Sequence, residues 1–144
     1  MTAKADCIFC AIAAGRAPAY IVRENERAIA LLDIYPLARG HCLVIPKRHV
    51  PWWHDLTAEE TGDLFKLAQE TAQEIIEAFR PDFVAMYARG RRIPHTHIFL
   101  VPTSDRDPLD RYFNALEGFQ ESVESFARLR EPKELAETMA KLKR

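Results

Sequence analysis

Long hydrophobic runs, a strong net charge and a large cysteine content are all missing from this sequence of 144 residues. No apolar run approaches the ~20 residues that a membrane-spanning helix needs. The first residues, Met1–Asp6, contain no apolar segment of the kind that signal peptides carry. The formal net charge of −1 provides no general attraction to nucleic acid or to anionic membranes. We therefore expect a cytoplasmic protein whose partners include neither nucleic acid nor a membrane.

The three cysteines are expected to stay reduced in the cytoplasm, which favours metal binding over a disulfide for any close pair. Cys7 and Cys10 form such a pair, because C-x-x-C spacing lets both sulfurs reach one ion. Since zinc requires two more ligands, the pair taken alone is about equally consistent with two small buried hydrophobic residues. Cys42 lies inside a predicted strand and is interpreted as core.

The order of predicted elements indicates an α+β domain with a mainly antiparallel sheet, because short connections favour hairpins. Strands are predicted at 20–23, 28–33, 41–45, 83–87 and 94–102, with a hairpin turn at Asn25–Glu26 between the first two and a hairpin formed by the last two. Helices are predicted at 6–14, from the Thr57 capping box to Arg80, at 109–130 and from Pro132 onward. The second of these helices has an apolar stripe that consists of Leu64, Ala68, Ala72, Ile75 and Phe79. We expect one domain over residues 1–144, with a core at about 7–102 and a C-terminal helical extension at about 108–144. The sequence contains neither an internal repeat nor a low-complexity segment.

The most informative stretch is Pro94–Pro102, which is interpreted as one strand with a proline at each end. Alternation along a strand places His95, His97 and Phe99 on one face. The opposite face, with Ile98 and Leu100, is expected to face the core. Two histidines on the other side are either hydrated polar groups or parts of a functional site, and the motif alone leaves both open.

Two further stretches have a functional and an ordinary interpretation. Asp33 ends a nearly apolar strand and can bond a sugar hydroxyl, or it can simply begin a turn before Pro36. The predicted tight turn 89–92 contains Arg89, Arg91 and Arg92, which can clamp phosphate oxygens or only keep the turn soluble.

Four motifs together resemble the histidine triad family, over about two thirds of the chain. They occur in the family's order and at about its spacing. They are Cys7-Ile8-Phe9-Cys10, Leu32-Asp33-Ile34-Tyr35-Pro36, Gly40-His41-Cys42-Leu43-Val44-Ile45-Pro46-Lys47-Arg48-His49 and Pro94-His95-Thr96-His97-Ile98-Phe99-Leu100-Val101-Pro102.

The resemblance implies a five-stranded antiparallel sheet, a homodimer, and nucleotidyl transfer or hydrolysis at the α-phosphorus of a purine nucleotide conjugate. The substrates it implies are nucleoside phosphoramidates, dinucleoside polyphosphates or related AMP conjugates. By position His97 is the nucleophile that carries the nucleotidyl group, and His95 supports its orientation. Asp33 matches the residue that holds the ribose, with Leu32 and Ile34 near the base. A neutral imidazole is a competent nucleophile near neutral pH, so this assignment is chemically reasonable.

This chain departs from the family pattern in two places. Phe99 replaces the third histidine, at a position that contacts the phosphate or the leaving group, and Phe neither donates nor accepts a hydrogen bond there. The Gly-Gln-rich stretch that often precedes the histidines is reduced to 87–93. We therefore expect one or more of Arg89, Arg91 and Arg92 to bind phosphate instead.

Some members of the family bind zinc at positions that correspond here to Cys7, Cys10, His49 and His95. Two thiolates and two imidazoles form a closed tetrahedral set, which is typical of a structural zinc site. We expect such a site to attach the N-terminal helix to the sheet and to hold His95 beside His97.

The sequence is consistent with three functions. The first is an enzyme that acts through His97, and the second is a nucleotide-binding protein with little or no turnover, in which Phe99 marks lost chemistry. The third is a small zinc-stabilised interaction module that uses its C-terminal helices. Loss of His97 would have favoured the binding protein, whereas loss of only the third histidine leaves the choice between the first two functions open.

Overall fold

A computed structural model describes residues 4–143 of the chain. The strands are β1 (Ile21–Glu24), β2 (Ala28–Leu32), β3 (Cys42–Pro46), β4 (Phe83–Tyr87) and β5 (Ile98–Thr103). The α-helices are α1 (Ile8–Ala13), α2 (Ala58–Phe79), α3 (Pro108–Ser122) and α4 (Pro132–Leu142). Segments of 3₁₀ helix lie at Lys4–Asp6, Trp53–Asp55 and Glu124–Arg130.

The five strands form one sheet in the order β1-β2-β3-β5-β4, and every neighbouring pair is antiparallel. The predicted α+β fold with an antiparallel sheet is confirmed. Asn25 closes the predicted hairpin between β1 and β2, because its side-chain oxygen accepts the backbone N–H groups of Arg27 and Ala28 at 3.1 and 2.9 Å.

Helix α2 begins at the predicted capping box. The Thr57 hydroxyl accepts the Glu60 N–H at 3.2 Å, and the Glu60 carboxylate accepts the Thr57 N–H at 2.9 Å. The helix ends where Arg80 takes a left-handed conformation with φ of 51°. Its 22 residues give about six turns, long enough to run along one whole face of the sheet.

Each face of the sheet has its own core. The α2 face buries an entirely hydrophobic cluster that consists of Ala28, Ala30, Cys42, Val44, Leu64, Leu67, Ala68, Ile75, Ile98 and Leu100. The α1 face buries a second cluster that consists of Cys7, Phe9, Cys10, Ile12, Ile29, Leu31, Leu43 and Ile45. The interpretation of Cys42 as core is confirmed.

The prediction of a histidine-bearing strand over 94–102 is wrong at both ends. β5 begins only at Ile98, because Thr96 donates both its backbone N–H and its hydroxyl to the Val50 carbonyl instead of pairing in the sheet. Pro102 lies inside β5, where β3 no longer pairs beyond Leu100, so its missing N–H interrupts no ladder. The histidine face is not solvated: α1 covers it, and His95 and His97 are 0% and 6% exposed.

Other local predictions also need correction. Asp6 belongs to a 3₁₀ segment, and α1 begins after Cys7, whose extended backbone places it at the cap position. β4 and β5 do pair as predicted, but the basic segment between them is not a tight turn. It is an irregular connection over 88–97, because the histidine segment bonds to neighbouring loops before the strand starts.

The residues from Arg106 onward form a second compact unit, separate from the unit that ends at Asp105. Asp107 caps α3, and Pro132 occupies the first turn of α4 as predicted. The predicted helix over 109–130 is wrong over its last eight residues, 123–130: extended backbone at Val123 ends α3, and a 3₁₀ segment follows. The single-domain organisation stays a prediction. In the described residues, no helix combines the length and the hydropathy needed to cross a membrane.

Candidate active site

His97 is held as one defined tautomer. Its Nδ1 lies 2.7 Å from the carbonyl oxygen of His95, and because a carbonyl only accepts, Nδ1 carries the proton and donates. Burial lowers the pKa of His97 below its usual value, although the His95 carbonyl and the Asp33 carboxylate act in the opposite direction. The ring is therefore neutral near pH 7, with an unprotonated Nε2 that is available as a nucleophile.

Apolar rings enclose the His97 imidazole. The Phe9 ring of α1 lies 5.2 Å away between centroids, and the Phe99 ring of β5 lies 5.0 Å away. Phe99 in turn stacks on Tyr87 of β4 at 4.6 Å with an interplanar angle of 12°. The Phe99 side chain is thus part of an aromatic stack and offers no hydrogen-bonding group beside His97.

Gly90 approaches His97 from the connection between β4 and β5. Its backbone is left-handed, with φ of 46°, and a Cβ atom at this position would lie 2.9 Å from His97 Cε1. Any side chain here would therefore collide with the imidazole. A small cleft of about 10 Å³ is lined by Gly90, Arg89 and His97 together with Pro51, Trp52, Trp53, Ala88 and Thr96.

Of the three predicted phosphate-binding arginines, the structure thus brings only Arg89 to the cleft that contains His97. Arg91 and Arg92 are exposed and follow it in the same connection. No signal in the sequence pointed to Trp52 and Trp53, because they are separated from the histidines by the whole of α2 and β4.

The predicted ribose ligand Asp33 follows β2. One of its carboxylate oxygens accepts the Tyr35 N–H at 2.7 Å, and the other lies 3.4 Å from His41 Nε2. The flanking residues Leu32 and Ile34 are exposed, at 38% and 73%. Apolar side chains beside a fixed carboxylate are a suitable surface for a nucleoside, with the sugar on Asp33.

His41 is a candidate site residue that the sequence prediction missed. It is 2% exposed, and its Nδ1 accepts the Leu37 N–H at 3.1 Å, so the proton of the neutral ring lies on Nε2. Nε2 points toward Asp33 but makes no hydrogen bond within residues 4–143. Burial lowers the pKa of His41, against the effect of the Asp33 carboxylate. The feature of the sequence that could have identified His41 as a site residue is its position directly before an apolar strand and eight residues after Asp33.

The four predicted metal ligands are brought together on the α1 face. The ligand atoms of Cys7, Cys10, His49 and His95 all lie within 4.8 Å of one another. His95 Nδ1 is 3.5 Å from each of the two sulfurs, and His49 Nδ1 is 3.2 Å from that of Cys10. A tetrahedral zinc ion with ordinary bond lengths separates sulfur and nitrogen ligands by roughly 3.6 Å, so these distances fit zinc.

The tautomer of His95 also suits a metal ligand. Its Nε2 lies 2.7 Å from the Pro46 carbonyl and donates to it, which leaves Nδ1 unprotonated toward the sulfurs. Burial lowers the pKa of His95 to about 4, although the bond to Pro46 acts in the opposite direction. Burial and the neighbouring Cys7 raise the pKa of Cys10 to about 11, whereas a dication would favour its thiolate.

Comparison with known proteins agrees with this geometry. The family model described as HIT domain matches residues 14–106. The adenosine 5′-monophosphoramidase hnt1 of Schizosaccharomyces pombe is 31% identical over 106 residues, which are 70% of this chain and 77% of that protein.

Two solved structures show the same fold. A HIT family protein from Bacillus subtilis superposes with a TM-score of 0.77 at 27% identity, covering 95% of this chain and 94% of that one. A zinc-bound histidine triad family protein from Mycobacterium smegmatis superposes with a TM-score of 0.66 at 27% identity, covering 81% of this chain and 99% of that one.

Proposed function

The chain belongs to the HIT family, and from this premise we propose that it is an enzyme that hydrolyses or transfers nucleotidyl groups through His97. The observation that carries the proposal is the tautomer of His97, because Nδ1 is held by the His95 carbonyl and Nε2 keeps its lone pair. The substrate class is a purine nucleotide conjugate, either a nucleoside phosphoramidate or a dinucleoside polyphosphate.

The reaction we propose has two displacements at one phosphorus atom. The Nε2 lone pair of His97 forms a bond to the α-phosphorus, and the bond to the leaving group breaks; the leaving group keeps the electron pair and takes up a proton from solvent. A water molecule, or another acceptor, then attacks the same phosphorus and releases a proton to solvent, while the phosphorus–nitrogen bond breaks and its electron pair returns to Nε2. The second step returns His97 to its neutral form and releases the nucleoside monophosphate or its new ester.

The surrounding residues have separate tasks in this proposal. Asp33 binds the ribose hydroxyls, with His41 behind its carboxylate, and Leu32 and Ile34 cover the base. Arg89, at the cleft, neutralises charge on the phosphoryl oxygens, and electrostatic stabilisation of this kind often accounts for more of an enzyme's rate acceleration than any other effect. Arg91 and Arg92 stay candidates for the same task.

Cys7, Cys10, His49 and His95 would hold a structural zinc ion, which supplies no chemistry to the reaction because all four positions are filled by protein. These residues connect α1 with the loop after β3 and with the histidine segment. His95 thereby places its carbonyl group on His97 Nδ1. Metal analysis of protein purified without chelator tests this: about one zinc per chain is expected, and much less would contradict it. The homodimer and the cytoplasmic location stay predictions.

The alternative is a nucleotide-binding protein with little or no turnover, and the Phe99 stack is the observation that favours it. Wild type, His97→Ala and Phe99→His are compared on adenosine 5′-phosphoramidate and on a diadenosine polyphosphate. We expect wild type to release AMP and His97→Ala to lose at least about a thousandfold of that activity. A silent wild type that binds AMP, together with activity gained in Phe99→His, would establish the alternative. If wild type binds no adenine or guanine nucleotide, the third function, a small zinc-stabilised interaction module, would be favoured.

A further inference from the structure

We propose that the α1 side of the protein contains a second binding site, which takes a small anion with two or more linked phosphate groups. Lys4, Arg16 and Lys47 provide its positive charge, and we call it the basic cavity. The proposal goes beyond the proposed function, because these residues have no part in the reaction at His97.

The basic cavity has a volume of about 570 Å³ and lies where three elements of the chain meet. This volume falls within the range of about 300–1,000 Å³ that is typical of small-molecule sites. Lys4 belongs to the first 3₁₀ segment, Arg16 follows α1, and Lys47 directly follows β3. Three cations that are distant or separated in the sequence are therefore brought by the fold to one concave surface.

A helix-ending turn fixes the position of Arg16. Gly15 takes a left-handed conformation, with φ of 72°, directly after α1. Its N–H donates to the Ile12 carbonyl at 3.0 Å, and the Arg16 N–H donates to the Ala11 carbonyl at 2.8 Å. This pair of hydrogen bonds is typical of a Schellman motif, and it directs the chain so that the Arg16 side chain lines the basic cavity.

Backbone hydrogen bonds also hold the other two cations. The Lys4 carbonyl accepts the Cys7 N–H at 3.3 Å, and the Lys47 N–H donates to the Arg27 carbonyl at 2.8 Å. The base of each cationic side chain is therefore fixed, and only its outer part has to be ordered by a ligand. Less conformational freedom is lost on binding than at three cations on mobile loops.

Two of the three positive charges have no partner within residues 4–143. Lys47 Nζ lies 3.0 Å from a carboxylate oxygen of Glu24, whereas the ion pairs of these residues include neither Lys4 nor Arg16. No acidic side chain in this part of the chain lines the basic cavity. The charges of Lys4 and Arg16 are thus available to a ligand, which favours an anion that carries more than one negative charge.

The neighbouring cluster of metal-ligand candidates does not balance these charges. Cys10 is part of that cluster and also lines the basic cavity. Burial raises the pKa of Cys10 to about 11, and the charges of Lys4 and Arg16 act in the opposite direction, so both cations lie near this sulfur. Two thiolates, two neutral imidazoles and a zinc ion together would have no net charge. The cations therefore retain their attraction for an external anion.

The remaining lining recognises phosphate and not a base. The methyl groups of Ala5, Ala13 and Ala14 form the rest of the cavity wall. No aromatic ring in the described part of the chain lines it, so a nucleobase has no surface on which to stack. The Arg16 guanidinium matches pairs of phosphate oxygens, and the two ammonium groups add point charges. The two sources of such a ligand are inorganic polyphosphate and the phosphate chain of a nucleotide.

The basic cavity lies away from the residues that bind the nucleoside in our proposal. The Asp33 N–H donates to the His41 carbonyl at 3.0 Å, directly before β3, whereas Lys47 directly follows this strand. β3 has five residues, roughly 17 Å of extended chain. The basic cavity and the cleft beside His97 have no lining residue in common. An anion in the basic cavity therefore leaves the proposed substrate positions unoccupied.

Titration calorimetry of full-length protein with sodium tripolyphosphate tests the proposal at an ionic strength of about 0.15 M, where surface charges are substantially screened. We expect saturable binding of one ion per chain, and binding of sulfate that is at least about tenfold weaker because sulfate cannot span two cations. The zinc content is measured before and after each titration. Sulfate that binds equally well, or heat that accompanies loss of zinc, would identify an adventitious ion only or extraction of the metal, and either result overturns the proposal.

The charge-removing variants locate the bound ion. Lys4→Gln and Arg16→Gln should each weaken tripolyphosphate binding about tenfold, the effect of one charge-assisted hydrogen bond. Lys47→Gln should weaken it less, because a carboxylate already offsets that charge. The matched control is Lys66→Gln, which removes the same charge from an exposed position of α2 and should leave the affinity unchanged. An equal loss of affinity in Lys4→Gln, Arg16→Gln and Lys66→Gln would show unspecific attraction and overturn the site.

A second pair of variants separates this site from the proposed active site. Ala14→Glu retains all three cations but adds a carboxylate to the exposed wall of the basic cavity, and it should abolish tripolyphosphate binding in a protein that unfolds like wild type. Arg89→Gln should weaken the binding of AMP and leave that of tripolyphosphate unchanged. The reverse pattern would place the polyphosphate in the cleft beside His97 and overturn the proposal.

The source of the phosphate chain follows from the same variants. Of tripolyphosphate and ATP, the ligand that loses more affinity in Lys4→Gln and Arg16→Gln is the one that the basic cavity takes. Both readouts are binding, so a wild type without turnover would refute the proposed function and leave this site standing. A wild type that turns over nucleotide conjugates but binds no tripolyphosphate would refute the site alone.

Discussion

The two faces of the sheet are both buried, but they are built from different chemistry. On the α2 face a 22-residue helix covers the strands, and its buried residues are hydrophobic except for Glu60 in the first turn and Thr71, whose hydroxyl donates to the Leu67 carbonyl. On the α1 face the helix has six residues, far fewer than the ~12–15 at which an isolated helix becomes even marginally stable in water. Thiols and imidazoles complete the burial there.

This difference between the two faces explains why the histidine site is buried. Besides the Phe9 and Ile12 side chains that α1 buries in the hydrophobic cluster of its face, the thiols of Cys7 and Cys10 contact the imidazoles of His49 and His95. The same short helix places Phe9 over both histidines of the site, at 5.6 Å from His95 and 5.2 Å from His97. The α2 face therefore contributes to the stability of the fold alone. The residues that stabilise the α1 face also hold the reactive His97 in place.

The largest expected effect is a difference in zinc content and stability between a cysteine variant of the α1 face and a cysteine variant of the α2 face. Cys10→Ser should lose zinc and about 4 kcal/mol of unfolding free energy, the linkage expected of a ligand present at a thousandfold its dissociation constant. Cys42→Ser, on the α2 face, is the matched control: it is destabilised by a buried hydroxyl but should keep its zinc. Metal analysis and denaturant unfolding measure both. Equal zinc contents in Cys10→Ser and Cys42→Ser would contradict this difference between the two faces.

A cavity on the α2 face should affect stability alone. Leu67 is fully buried in the hydrophobic cluster, and Leu67→Ala should cost about 3 kcal/mol through lost contacts and an unfilled cavity. Zinc content, and kcat per folded molecule, should stay at the wild-type value. A fall of kcat comparable to that of a site variant would show that the two faces are coupled more closely than we propose.

A smaller effect distinguishes two glycines. Gly90→Ala should lower kcat/KM about tenfold, because its Cβ would lie 2.9 Å from His97 Cε1 in a backbone region that disfavours side chains. Gly62→Ala is the control, since a Cβ there meets no atom within 4 Å. That change should raise stability by up to about 1 kcal/mol through helix propensity and leave kcat/KM unaltered. Equal activities in the two variants would contradict the contact.

The smallest effect concerns the capping box of α2. The Arg48 guanidinium, above all, and the Thr57 N–H lower the pKa of Glu60 to about 2, against the effect of burial. A lowered carboxyl pKa stabilises the fold above about pH 4.5, and that stabilisation is lost as the pH falls toward about 2. Glu60→Gln should thus cost about 1 kcal/mol at pH 7, and the difference from wild type should shrink between pH 4.5 and 2.

Denaturant unfolding of wild type and Glu60→Gln at several pH values measures this difference. Arg48 adjoins the metal-ligand candidate His49, so the same ion pair joins α2 to the segment that supplies a ligand. If the difference in unfolding free energy between wild type and Glu60→Gln does not depend on pH, the Glu60 carboxylate is excluded as its cause.

Local signals predicted most of the α2 face. The Thr57 capping box, the apolar stripe of α2 and the turn at Asn25 act between neighbours in the sequence, and the structure shows all three. The four predicted ligand positions, which were named by family resemblance and not by spacing, lie together in the structure, and zinc binding by them stays a prediction.

The errors lie where long-range contacts override local pattern. Thr96 was assigned to a strand because its neighbours alternate, but its hydrogen bonds go to Val50, 46 residues earlier. The motif left open whether His95 and His97 are hydrated or belong to a site, and α1, which lies more than 80 residues earlier, buries them.

The sequence by itself thus determined the fold class, the strands and long helix that repeat a clear period, and the residue types able to do nucleotidyl chemistry. Only the tertiary structure decided which nitrogen of His97 is free, which arginine reaches it, and which aromatic residues surround it. The physical reason is the separation in sequence of the groups that interact. Hydrophobic periodicity and helix caps depend on residues within one or two turns of the chain. Tautomers, burial and clefts depend on residues that are far apart in the sequence and that only folding brings within a few ångströms.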